Sequence, residues 1–176
     1  MLRWYHWLVP VLAYLQHQPA LGGDVWLSEH AYVVGKATIA GPARLEANAV
    51  VRGDQNHIRV GPRFRMGQRS TVHVELHTGT LIGSDVWLGD DVVVHATTLG
   101  DGVRVESGGR VLSTSRVGAG SIVASGALVP EGAEFPANSY ISGTPGRRVR
   151  ETTPEERAET LELVSRALST APNTRA

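Results

Sequence analysis

The chain has 176 residues, with 17 basic and 17 acidic side chains and a formal net charge of zero. That balance excludes the broad basic surface that nucleic acid or anionic lipid would need, so no nucleic-acid partner is expected. Cysteine is absent, which excludes a disulfide framework, thiolate ligands and a thiol nucleophile.

Residues 1–24 form an N-terminal segment that carries Trp4, Tyr5, Trp7 and Tyr14. Its most apolar stretch, residues 8–15, contains Pro10 and is far shorter than the ~20 residues of a spanning helix, so no transmembrane segment is expected. Aromatic side chains are costly to leave in water. Residues 1–17 are therefore expected to cover the first coil or to contact another subunit of a larger complex.

Residues 25–150 carry a repeat. From Ile82 an apolar residue recurs every six positions, through Leu88, Val94, Leu99, Val105 and Val111 to Val129, Phe135 and Ile141, with a single five-residue step between Val94 and Leu99. A small or β-branched residue follows most of them by four, as at Val86, Val92, Thr98 and Val103. The same phase runs backward through Val72, Met66, Val60, Val51, Leu45 and Ile39, broken by three extra residues after Val51 and four at 78–81. Neither the helical period of 3.6 nor the strand period of 2 gives this pattern. A unit of six makes one flat side of a triangular coil, and the turns stack at ~4.8 Å. The expected fold is an all-β solenoid, a parallel β-helix whose handedness the period does not set.

A C-terminal helix is predicted over 151–169. Thr153, Pro154 and Glu156 form a capping box with proline at the first helical position. Leu161, Val164 and Leu168 make the apolar stripe expected to lie along the coil. Residues 170–176 read as a solvated tail.

Laid onto three faces, Val51, Val72 and Val94 begin units on one face in successive turns. The residues after them, Arg52, His73 and His95, form an outward column. Two imidazoles one rung apart can share a zinc ion at ~2.0–2.1 Å each. Asp90, two places after Leu88, lies on the neighbouring face. In a three-fold trimer that face abuts the histidine face of the next chain, which puts a metal between subunits, with Asp90 as the neighbour's ligand. Glu75, two places past His73, reads either as a proton relay or as an outward strand residue. His57 sits in an insertion and His77 holds a different place in its unit.

The runs Val51-Arg52-Gly53-Asp54, Thr71-Val72-His73-Val74, Leu88-Gly89-Asp90 and Val94-His95 resemble the γ-class carbonic anhydrases over roughly residues 25–168. The resemblance implies a left-handed coil of hexapeptide repeats and a trimer of γ-type chains, identical or mixed. It also implies zinc, or another divalent metal, held by three histidines at the subunit interface, and hydration of carbon dioxide, a lyase activity. His73 and His95 match the first and third histidines, and Arg52 and Asp54 match an ion pair across the interface. Asp90 stands where the family has its middle histidine. Gly67 stands at the family's glutamine, with Gln68 one place late as the candidate for its role. A carboxylate partly neutralises the ion and acidifies its water less, so weak hydration is expected. Some γ-type proteins are non-catalytic structural subunits of the mitochondrial NADH dehydrogenase (respiratory complex I), which is the alternative the resemblance offers. The corresponding locations are the cytoplasm or the matrix side of the inner mitochondrial membrane. Hexapeptide-repeat acyltransferases share the coil but not the Arg52, His73 and His95 column.

Overall fold

The computed structural model describes residues 11–170. Trp4, Tyr5 and Trp7 of the aromatic segment, and the tail beyond Thr170, lie outside the described residues. The coil is a left-handed parallel β-helix of three faces. On its histidine face, Val33, Val51, Val72, Val94, Val111 and Val129 stand in register on successive rungs. A second face stacks Ile39, Val60, Ile82, Leu99, Val117 and Phe135. The third stacks Leu45, Met66, Leu88, Val105, Val123 and Ile141, and ends in an antiparallel pairing of Ser139–Gly143 with Gly146–Glu151.

The first rung starts before residue 25. Val11–Leu12 pairs with Val33 and Val34, and Ala20–Leu21 pairs with Thr38 and Ile39. Leu21 keeps the sixfold phase through Leu27, Val33 and Ile39, whereas Val11 falls outside it.

The large residues of the repeat fill the coil, nearly all of them below 5% exposed, while Phe135 at the open end is only partly covered. Burying each is worth about 1.5–3 kcal/mol. In the lower coil, residues eighteen apart pair directly, such as Val105 with Val123 and Val111 with Val129. The single short step shifts one inward position. Thr98 points out, between Leu81 and Arg116, and Thr97 takes the inner place, bonding the Ser115 carbonyl at 2.7 Å.

Most corners place a residue in the left-handed backbone region. The corner before the histidine face uses Asn48, Arg69, Asp91, Gly108 and Gly126 on successive rungs, all at φ between 56° and 73°. Their amides bond carbonyls of the preceding rung, as Asp91 does to Gln68 at 2.9 Å. Where the corner residue carries a side chain, the chain uses it. Arg69 and Asp91 form a two-pronged ion pair with both distances at 2.8 Å.

Helix α1 (Pro154–Ser169) has the expected capping box, and no helix among the described residues is long and apolar enough to cross a membrane. It covers the third face, where an outward ladder of Trp26, Arg44, Arg65, Trp87 and Arg104 runs up the coil. Guanidinium groups of Arg44 and Arg65 stack on Trp26 and Trp87 at 4.5 and 4.2 Å. Arg44 bonds the Ala167 carbonyl near the helix end at 3.1 Å, and Arg104 bonds Glu159 at 2.7 Å. The predicted stripe needs correction. Leu161 is 45% exposed, and the packed side carries Thr160 and Val164.

Candidate metal centre

Pairing of Thr71–His73 with Val93–His95 sets His73 directly over His95, with ring centroids 5.1 Å apart and planes at 48°. The column predicted from the repeat is therefore present, with Arg52 on the rung above. Both histidines stand at the trailing edge of their face, and His95 immediately precedes the corner residue Ala96.

Each imidazole is oriented by its own chain. The three-residue insertion, seen where the register jumps from Gly35↔Gly53 to Ala37↔Ile58, swings Asp54 down to His73. Oδ1 of Asp54 lies 3.0 Å from Nε2 of His73, and Oδ2 lies 3.4 Å from Arg52. Arg52 and Asp54, expected as a pair across an interface, are thus paired within one chain. Burial pushes the Asp54 carboxyl up, but the His73 hydrogen bond and the charges of Arg52 and His73 outweigh it and hold it below its ordinary value. A carboxylate only accepts, so Nε2 of His73 carries a proton, and in the neutral ring Nδ1 keeps its lone pair.

The second orienting group, Ser113, was not foreseen from the sequence. Its hydroxyl lies 2.9 Å from Nδ1 of His95 and donates to Glu75. Glu75 thus faces the site, 3.7 Å from His95, although 43% of its side chain remains exposed. The sequence held one signal for Ser113. Leu112 falls beneath His95 in the column, and Ser113 follows it around the corner.

Asp90 and Gln68 stand elsewhere. They occupy the leading corner of the histidine face, at the opposite end from His95. Oδ1 of Asp90 accepts the Gln68 amide at 3.0 Å and a guanidinium nitrogen of Arg65 at 3.4 Å. The Asp90 amide donates to the Ser107 hydroxyl at 3.1 Å. The Gln68 side chain is exposed and accepts from Arg69 at 3.3 Å. His57 and His77 lie exposed on the two inserted loops. Among the described residues, no three His, Cys, Asp or Glu side chains gather closely enough in one chain to hold a metal. One chain therefore presents two imidazole donors at one corner and a tethered carboxylate at another. The donor chemistry fits a divalent ion in part: both imidazoles offer lone pairs, and the third donor must come from outside the chain.

No family model matches the chain. It is 47% identical over 133 residues to the "Probable carbonic anhydrase" of Methanocaldococcus jannaschii, an alignment that covers 76% of this chain and 84% of the relative. The chain belongs to the γ-carbonic-anhydrase-like family of hexapeptide-repeat proteins. This γ-type chain is also 31% identical over 144 residues to "Gamma carbonic anhydrase 2, mitochondrial" of Arabidopsis thaliana, covering 78% of the chain and 52% of that longer protein. Among solved structures it superposes on a hexapeptide transferase family protein from Anaplasma phagocytophilum with a TM-score of 0.86, at 25% identity over 92% of the chain and 95% of the other.

Proposed function

We propose that this γ-type chain forms a trimer in which His73 and His95 of one copy and Asp90 of the next hold zinc or another divalent ion, and that it hydrates carbon dioxide slowly. The observation that carries this reading is the His73–His95 pair, with rings 5.1 Å apart and one nitrogen of each oriented by the same chain. Asp90 is suited to the third place because its bonds to Gln68 and Arg65 use Oδ1 alone, and its side chain is 40% exposed. Bound there, the ion would supply Lewis acidity toward water and carbon dioxide. The chain's own groups would do the rest. Asp54 and Ser113 hold the rings, Glu75 offers an exposed carboxylate to accept a proton, and the Arg65 guanidinium withdraws charge from Asp90. The negative charge of Asp90, which leaves the ion less able to acidify its water, and the bond that ties the Gln68 side chain to Arg69 are why the hydration is slow. Metal analysis, light scattering and stopped-flow hydration on one preparation test the reading. A metal-loaded trimer with low activity supports it, and a monomer or a metal-free trimer sinks it.

The tether on Asp90 favours a second reading, a rigid trimeric block without catalysis. On that reading the chain serves a larger assembly such as respiratory complex I on the matrix side of the inner mitochondrial membrane, in keeping with the mitochondrial plant relative. On the first it works in the cytoplasm. Fractionation followed by native mass spectrometry separates the two.

A further inference from the structure

We infer that Ser113 and Glu75 lock His95 in the tautomer protonated at Nδ1, so that Nε2 is the atom presented to a ligand, and that the irregularities of the repeat around His95 seat this lock. The inference rests on the metal reading above only for what Nε2 would bind. The lock itself stands on hydrogen-bond donors. Ser113 has one hydroxyl hydrogen, and it goes to Glu75. The same oxygen lies 2.9 Å from Nδ1 of His95, and with its hydrogen spent it can only accept there. Nδ1 must then carry the ring proton. Glu75, by taking the serine hydrogen, sets the sense of the whole chain of bonds. Ser113 is a positioning residue that acts through His95, in the way outer groups orient ligating imidazoles.

Three places where the period of six fails meet at this point. Glu75 belongs to the rung of His73 and Ser113 to the rung below His95, so their contact crosses the intervening rung, and rungs are spaced at about 4.8 Å. The loop 74–79, lengthened by four residues, is what lets Glu75 reach that far. Its turn is closed by the Glu75 amide on the Thr78 carbonyl at 3.0 Å, and it is braced by Asn56 bonding the Leu76 carbonyl at 3.2 Å. That brace comes from the other insertion, the one that carries Asp54. In the intervening rung, the step from Val94 to Leu99 is one residue short, and its corner residue Ala96 has only a methyl group. The long rung thus reaches over the short one.

The test uses full-length protein without metal, labelled with 15N in histidine. Long-range proton–nitrogen spectra at pH 8, where imidazole is neutral, read the tautomer directly. His95 is expected to show protonated Nδ1 in the parent. Glu75→Ala should invert it or mix the two forms, because the freed Ser113 hydrogen then turns toward Nδ1. A role in packing alone predicts no such inversion. Ser113→Ala should also lose the preference, and Ser113→Thr should restore it. Zinc titrated into the same samples should bind about 10–100-fold more weakly to Ser113→Ala and Glu75→Ala than to the parent. A parent His95 protonated at Nε2, or a tautomer unmoved by Glu75→Ala, overturns the inference. A tautomer that inverts while zinc affinity stays constant upholds the lock and counts against His95 as a metal ligand. Should Ser113→Ala fail to fold, the partly exposed Glu75 keeps the test intact.

Discussion

At Gly67 a β-carbon would stand 2.1 Å from the Gly89 carbonyl oxygen and 2.5 Å from Oδ1 of Asp90. The rung below and the tethered carboxylate fill the space a side chain would take. Glycine here and aspartate at 90 therefore belong to one arrangement, and a glutamine at 67 has no room without a shift of the backbone. Gly67→Ala should destabilise the fold by about 1–3 kcal/mol, as overpacking does, in urea denaturation. Unchanged stability would show that the two rungs can part easily. Asp90→His separates two roles of the same residue. It removes the acceptor of the Gln68 amide and one partner of the half-buried Arg65, so stability should fall by about 1–3 kcal/mol. Zinc content of the trimer should rise, because a third imidazole has no charge to share with Arg65. If zinc does not rise, the leading corner does not face the next chain's histidines. The sixfold period was enough to find His73, His95 and Arg52, because regular rungs fix register. It was silent on the contacts of Asp54, Glu75 and Ser113, which depend on the path of inserted loops that no repeat describes.

At the scale of single elements, α1 was legible at its start and less so along its length. Thr153 and Glu156 satisfy each other's backbone amides at 3.2 and 2.9 Å, a local device written into four adjacent residues. The packed stripe depends on what lies beneath it, and the third face offers an arginine and tryptophan ladder, not aliphatic ridges. The helix accordingly turns Thr160 and Val164 inward and leaves Leu161 out. Thr153→Ala should cost about 1 kcal/mol by loss of the cap. The second half of the box adds a pH dependence. Arg150 first, then the Thr153 amide, lower the Glu156 carboxyl from 4.5 to about 2. A depressed carboxyl contributes stability that is complete above its unfolded value and is lost as pH falls through the folded one. Stability should therefore decline between about pH 4.5 and 2, and Glu156→Gln should remove that part of the slope. An identical pH profile in the variant would show that the pair with Arg150 adds nothing in solution. Handedness belongs to this scale too. The corners place Asn48, Arg63, Asp85, Asp91 and Asn138 at positive φ, but a period of six reads the same for either hand.

For the whole molecule, the decisive fact is that donors sit at opposite corners of one face, with His95 before Ala96 and Asp90 before Asp91. A flat face keeps them apart in its own chain, and in the proposed trimer cyclic assembly would join the trailing corner of one copy to the leading corner of the next. Subunit mixing tests that geometry without relying on any single variant. A trimer of His95→Ala chains has no complete site, and neither has a trimer of Asp90→Ala chains. In a mixed trimer, one interface combines the intact His95 of one variant with the intact Asp90 of the other. Random assembly from equal amounts should restore about a quarter of the parent's zinc sites, since about three quarters of such trimers are mixed and each has one good interface in three. Zinc content measured on the co-expressed mixture, against each variant alone, gives the answer. Recovery near that fraction requires ligands from two chains. No recovery, with trimers confirmed by light scattering, means that the histidines of one chain do not meet Asp90 of another, and the rigid-block reading then accounts for the protein better than catalysis does.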